Sequence, residues 1–156
     1  MSQIENRLTE LGVRLPTPAA PVANYVPFVR SGNLLFISGQ LPFGADGAMD
    51  AASVGKLGGK VSPEQGQAAA RLCAINVLAQ AQAALGSLEK IVRCVRLTGF
   101  VAVEAGFLPI PGVVNGASDF MVAVLGDKGR HARSAVGVAQ LPLDAAVEIE
   151  ATFEVS

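Results

Sequence analysis

A mixed α/β or α+β layer, with two long helices packed on one face of a sheet, is the fold this sequence predicts. Three observations carry that reading. Periodicity runs helix, strand, strand, helix, strand, helix, strand, strand along the chain. A long alanine-rich run begins at a strong helix-start signal. The last segment alternates Val147, Ile149, Ala151 and Phe153 with Glu148, Glu150, Thr152 and Glu154, so one side faces a core and the other does not. At 156 residues, 51% hydrophobic and 16% charged, the chain suits one domain over 1–156, with residues 1–20 as an N-terminal helix and proline-rich lead-in.

Taken in order, Ile4, Leu8 and Leu11 mark a short amphipathic helix that stops at Gly12. Pro16, Pro18 and Pro21 then lead into extended chain. YVPFVR and LLFISG, separated by Ser31-Gly32-Asn33, predict a β-hairpin, with Pro27 where the ladder needs no donor. Residues 42–60 show no period and are expected to form an exposed connection that covers a pocket. Ser62 as N-cap, Pro63 at the first helical position and Gln65 in the capping-box position start a helix that should run to Leu85 and stop at Gly86. Leu72, Ile75 and Leu78 form its inner stripe, and the alanines between them allow close approach to a sheet. EKIVRCVRLTGFVAV has the β-branched content of a central strand. Pro111 opens the second long helix, which ends at Gly126, and strands over 132–138 and 145–155 complete the chain.

Composition removes several function classes. A formal net charge of −1 and a pI near 5.8 supply no basic field for a phosphate backbone, so nucleic-acid binding is disfavoured. Cys73 and Cys94 have neither metal-ligand nor CxxC spacing and read as small buried hydrophobes in a reducing compartment. MSQIENRLTELG alternates charge and hydrophobe, which predicts a cytoplasmic start with no leader. The apolar run 68–85 is interrupted by Arg71, Asn76, Gln80 and Gln82, and is expected to be too polar for a bilayer. A single histidine, His131, cannot build a histidine-rich metal site.

One charge in the C-terminal part stands out, because Arg133 interrupts a strand of small and apolar residues. If the last two strands pair antiparallel across an even loop such as 141–144, Arg133 shares a face with Glu148 and Glu150; an odd loop reverses this. Ala135 and Gly137 would leave room beside the guanidinium for a small planar anion gripped through two parallel hydrogen bonds. An ordinary cross-strand ion pair fits the same spacing.

YVPFVRSGNLLFISGQLP, VVNGASDF and HARSAVGVAQLPLDAAVEIEA, in this order, resemble the YjgF/RidA family of reactive-intermediate (enamine/imine) deaminases, formerly named endoribonuclease L-PSP. The N-terminal helix and the 42–60 connection resemble those of a longer subgroup. The resemblance implies a chorismate-mutase-like α+β fold and a homotrimer with ligand clefts between subunits. It implies Arg133 as the carboxylate-binding residue and Glu148 as the residue acting on the hydrolytic water. Tyr25, Ser38, Gly39, Asn115 and Ala135 match further pocket positions; at Ala135 the family often has cysteine. The implied reaction is hydrolysis of a 2-imino acid or its enamine to a 2-keto acid and ammonia, with no metal or organic cofactor. The implied partners are that ligand and further copies of the chain; composition argues against a membrane and makes nucleic acid a disfavoured partner. A trimeric binder of small carboxylate metabolites is the alternative, and endoribonuclease activity the third reading.

Overall fold

The computed structural model describes residues 1–18 and 23–156, so Pro21 lies outside the described residues. Helix α1 spans Gln3–Glu10 behind a capping box between Ser2 and Glu5, and Gly12 follows it at φ +67°. Strands β1 (Phe28–Ser31) and β2 (Leu34–Gln40) form the expected hairpin, tightened to the two-residue turn Gly32-Asn33 with Gly32 at φ +58°. Pro27 precedes β1, where only its carbonyl is used, accepting from the Ser38 N–H.

Helix α2 (Pro63–Leu85) starts at the Ser62/Gln65 capping box and stops at Gly86 in the left-handed region. Its length and composition reach those of a membrane span, as those of a core helix can, and 56% of its most apolar window is buried inside this fold. Strand β3 (Ile91–Ala102) is central, α3 (Ile110–Leu125) carries Pro111 in its first turn, and β4 (Ala132–Val138) and β5 (Val147–Val155) follow. The mixed sheet has the order β1-β2-β5-β3-β4. Helices α2 and α3 cover one face, and α1 packs on α3. Between helices and sheet lie Leu35, Leu78, Leu97, Met121, Ile149 and Phe153, each essentially fully buried. Cys73 and Cys94 are buried and free; burial pushes the Cys94 thiol up to about 12, and Cys73 upward as well.

The predicted pairing of the last two strands does not occur. β4 lies at the sheet edge, parallel to β3, while β5 inserts between β2 and β3 and runs antiparallel to both. The physical cause is α3: a strand–helix–strand crossover returns the chain in the same direction, so β3 and β4 must be parallel. β5 alternates strictly and buries the whole of one side, Val147, Ile149, Ala151, Phe153 and Val155, and it takes the position with two neighbours.

The 42–60 connection also departs from expectation. It is exposed at 45–48, 50–51 and 58–60, whereas Ser53, Gly55 and Leu57 are buried. The Gly55 N–H donates to the Asp144 carbonyl, Leu57 to Ala102, and Ala146 donates back to Ser53, so this segment is stitched to the end of the sheet.

Candidate functional site

Register places Arg133 and Glu148 on opposite faces. Ile37, Ala151, Leu97 and Arg133 form one row across the sheet, on the side the helices cover. Glu148 pairs with Phe100, and Phe100 with Val136, in a row on the open side. The shared face expected from an even loop is therefore incorrect, because it required β4 and β5 to be neighbours. Gly137 gives no free space beside the guanidinium either. A Cβ there would lie 2.8 Å from Ile110 and 2.9 Å from Val103.

Arg133 sits where a buried row reaches the sheet edge, and α3 meets it there with polar groups. Its Nη1 donates to Asn115 Oδ1 at 2.7 Å and to Ser118 Oγ at 3.1 Å. Asn115 and Ser118 are three residues apart on α3, hence on one helical face. Ser118 Oγ is also 2.9 Å from His131 Nε2, while His131 Nδ1 lies 2.6 Å from the Gly129 carbonyl. A carbonyl only accepts, so Nδ1 carries the proton, and Nε2 accepts from the serine hydroxyl. Burial holds the His131 pKa below its ordinary value, and the Arg133 charge adds to this, so the ring is neutral at neutral pH. Among the described residues no carboxylate pairs with Arg133; the one ion pair is Arg130–Asp127. A guanidinium has five N–H donors, and the two on Nη1 are engaged, which leaves the Nε/Nη2 edge as a two-pronged anion grip.

Glu148 belongs to a second group. It lines a cavity of about 520 Å³ with Tyr25, Gly39, Phe43, Asn76 and Leu143. Any side chain at Gly39 would collide with the Glu148 carboxylate, so glycine is what lets the strand pass this close to it. Burial, then the Glu150 charge, hold the Glu148 carboxyl above the usual glutamate range. Asn76 ties α2 to this wall by donating to the Leu41 and Phe43 carbonyls at 2.9 and 3.0 Å. At the rim Leu143 holds φ +57° while its side chain is 67% exposed. That backbone is costly for a leucine.

The named residues thus divide. Arg133 and Asn115 are together at the β4 edge; Glu148, Gly39 and Tyr25 share the cavity, which neither Arg133 nor Asn115 lines. Ser38 commits its hydroxyl to the Val26 carbonyl at 2.7 Å and faces a shallow open-side depression with Arg96, Thr98 and Glu150. Ala135 is half-buried and turns its methyl toward the core, so only its backbone is available to a ligand. The sequence by itself gives His131 no role at the site and does not single out Ser118. The available signal was spacing: Ser118 lies one helical turn after Asn115, and His131 two residues before Arg133.

The chain matches the family described as "YjgF/chorismate mutase-like, putative endoribonuclease" over residues 5–153. It belongs to the YjgF family. It is 47% identical over 155 residues to Protein TCP17 of Trypanosoma cruzi, covering 99% of this chain and 95% of that one. Atu1372 of Agrobacterium tumefaciens is 50% identical, with 99% and 93% of the two chains covered and a TM-score of 0.90. Escherichia coli TdcF, solved with bound serine, is 26% identical over 90% of this chain and 94% of its own, at a TM-score of 0.65. The five-stranded mixed sheet with its helices on one side is therefore the YjgF-like fold that the resemblance implied.

Proposed function

We propose that this YjgF-family chain hydrolyses reactive 2-imino acids and their enamine tautomers, releasing a 2-keto acid and ammonia. The observation that carries the reading is an arginine anchored through Nη1 by two neutral oxygens, with its remaining edge opposed by no carboxylate of the described residues. An ion-pair role would need such a partner. TdcF's bound serine supports a ligand of this size and charge.

Because Arg133 and Glu148 occupy opposite faces, the complete site requires a second copy of the chain, and a homotrimer closes three such seams. The open sheet face supports this: Val29, Phe36 and Val136 are 51, 43 and 43% exposed there, around Arg96, Thr98, Glu150 and Thr152.

In the reaction Arg133 grips the substrate carboxylate and the Asn115 amide donates to a neighbouring acceptor. Glu148 of the adjoining copy takes a proton from water as the oxygen adds to the imine carbon and returns it to the nitrogen, giving the carbinolamine. In its collapse Glu148 carries the hydroxyl proton to the nitrogen, so the C–N bond breaks, the carbonyl forms and neutral ammonia leaves. The imine is already electrophilic, so orientation and a directed water are the main requirements. The Ser38-Gly39 backbone shapes the remaining polar edge.

The test is ammonia and keto-acid formation from imines generated in situ by an amino-acid oxidase or a serine dehydratase. Acceleration lost in Arg133→Ala and Glu148→Gln is the expected result. Tight keto-acid binding without acceleration would instead establish a metabolite binder, the reading that bound serine in TdcF favours. RNA cleavage that disappears in Arg133→Ala would favour the third reading.

A further inference from the structure

The reaction just described uses Arg133 and Asn115, yet the guanidinium is also tied to a serine and a histidine to which that reaction gives no role. We infer that Ser118 and His131 are positioning residues that aim Arg133, with the Gly129 carbonyl as their fixed end. The inference rests on the reading of Arg133 as the carboxylate grip.

The direction of each bond in the chain follows from its last member. Gly129 packs so closely on α3 that a Cβ there would strike Met121 and Val122 backbone, so its carbonyl is fixed relative to the helix that carries Ser118. That carbonyl holds the proton on Nδ1 of His131 and leaves Nε2 as an acceptor. A serine within a helix either points to solvent or turns its hydroxyl back to the carbonyl four residues earlier. Here the hydroxyl proton goes to Nε2 instead, which directs the lone pairs of Oγ toward Arg133.

Two consequences meet at the guanidinium. Nη1 is held by Ser118 as well as by Asn115, which fixes the plane of the group rather than one atom of it. A planar fork binds a planar carboxylate only when the planes agree, so orientation matters more here than charge. His131 touches no ligand in this scheme; it acts on Arg133 through Ser118.

The test is calorimetric binding of 2-oxobutanoate and of its uncharged amide to the assembled protein. Wild type is compared with Ser118→Ala, Ser118→Thr, His131→Phe, the Ser118→Ala/His131→Phe double variant and Arg133→Ala. Ser118→Ala and His131→Phe should each weaken 2-oxobutanoate by about tenfold and leave the amide unchanged, the size expected when a hydrogen bond to a charged group is misaligned. Ser118→Thr should restore binding, and the double variant should be no worse than Ser118→Ala, because the histidine acts only through the hydroxyl. Additive losses, or equal losses for the acid and the amide, would overturn the relay. So would wild-type affinity in both single variants while Arg133→Ala abolishes binding, which leaves the grip standing without its support. Binding unaffected by Arg133→Ala overturns the grip and the relay together. If Ser118→Ala does not fold, Ser118→Cys, close in size and a poor acceptor, asks the same question.

Discussion

Replacing Arg133 by lysine keeps the charge and removes the plane. In the structure Nη1 holds Asn115 and Ser118 while Nε and Nη2 are unengaged, so anchoring and binding use different atoms of one rigid group. A lysine ammonium is a single point and must choose between those partners and the ligand. Loss of one charge-assisted hydrogen bond costs about 1.5–3 kcal/mol, which at about 1.4 kcal/mol per decade lowers kcat/KM by about tenfold to a hundredfold. No ion pair to a described residue is broken, so the melting temperature should move little. The assay is kcat/KM on an in situ imine, with thermal unfolding measured on the same preparation. Full turnover per folded chain in Arg133→Lys, whatever its stability, would refute the argument and assign the arginine to packing.

Sedimentation should give the mass of three chains at micromolar concentration; a stable monomer would remove the site between copies. Glu148 must be ionised to accept a proton, so the acid limb of kcat/KM should lie above the ordinary glutamate range and vanish with the activity in Glu148→Gln. The same shift acts on stability with the opposite sense. A carboxyl whose folded pKa is raised stabilises the fold below its unfolded pKa and loses that contribution as pH rises through the folded value. Glu148→Gln should therefore unfold at a higher temperature than wild type near neutral pH and lose that advantage below the ordinary glutamate range. Gly39→Ala should displace the Glu148 carboxylate and cost at least tenfold in kcat, while 2-oxobutanoate still binds in an Arg133-dependent way; unchanged kcat would show that Glu148 tolerates the displacement.

Features decided within a few residues were legible in the sequence. The Ser62/Gln65 box, the Gly86 stop and the turn at Gly32 depend on local backbone chemistry, and each lies where its residues indicate. Strand alternation in β5 is equally local and gave its buried side correctly. The neighbour of β5 is not local. Parity between Arg133 and Glu148 could be counted only for strands in contact, and the crossover through α3 put β3 between the two strands that carry them. The family motif selected residues on both halves of the site, but no motif reveals that the halves face away from each other. Ser118 and His131 were hidden for the same reason, since a helix–strand contact has no period in sequence.

The stitched connection separates two kinds of freedom. Its foot at Ser53, Gly55 and Leu57 shares backbone hydrogen bonds with the end of the sheet, so amide protons there should exchange with solvent as slowly as those of the strands. Its tip near Gly44 to Gly47 forms cavity wall without those ties to the sheet. Sequence drift can therefore rebuild the wall opposite Glu148, by length or by side chain, while the scaffold beneath keeps its register, and a lineage could change what the cavity admits without refolding the protein.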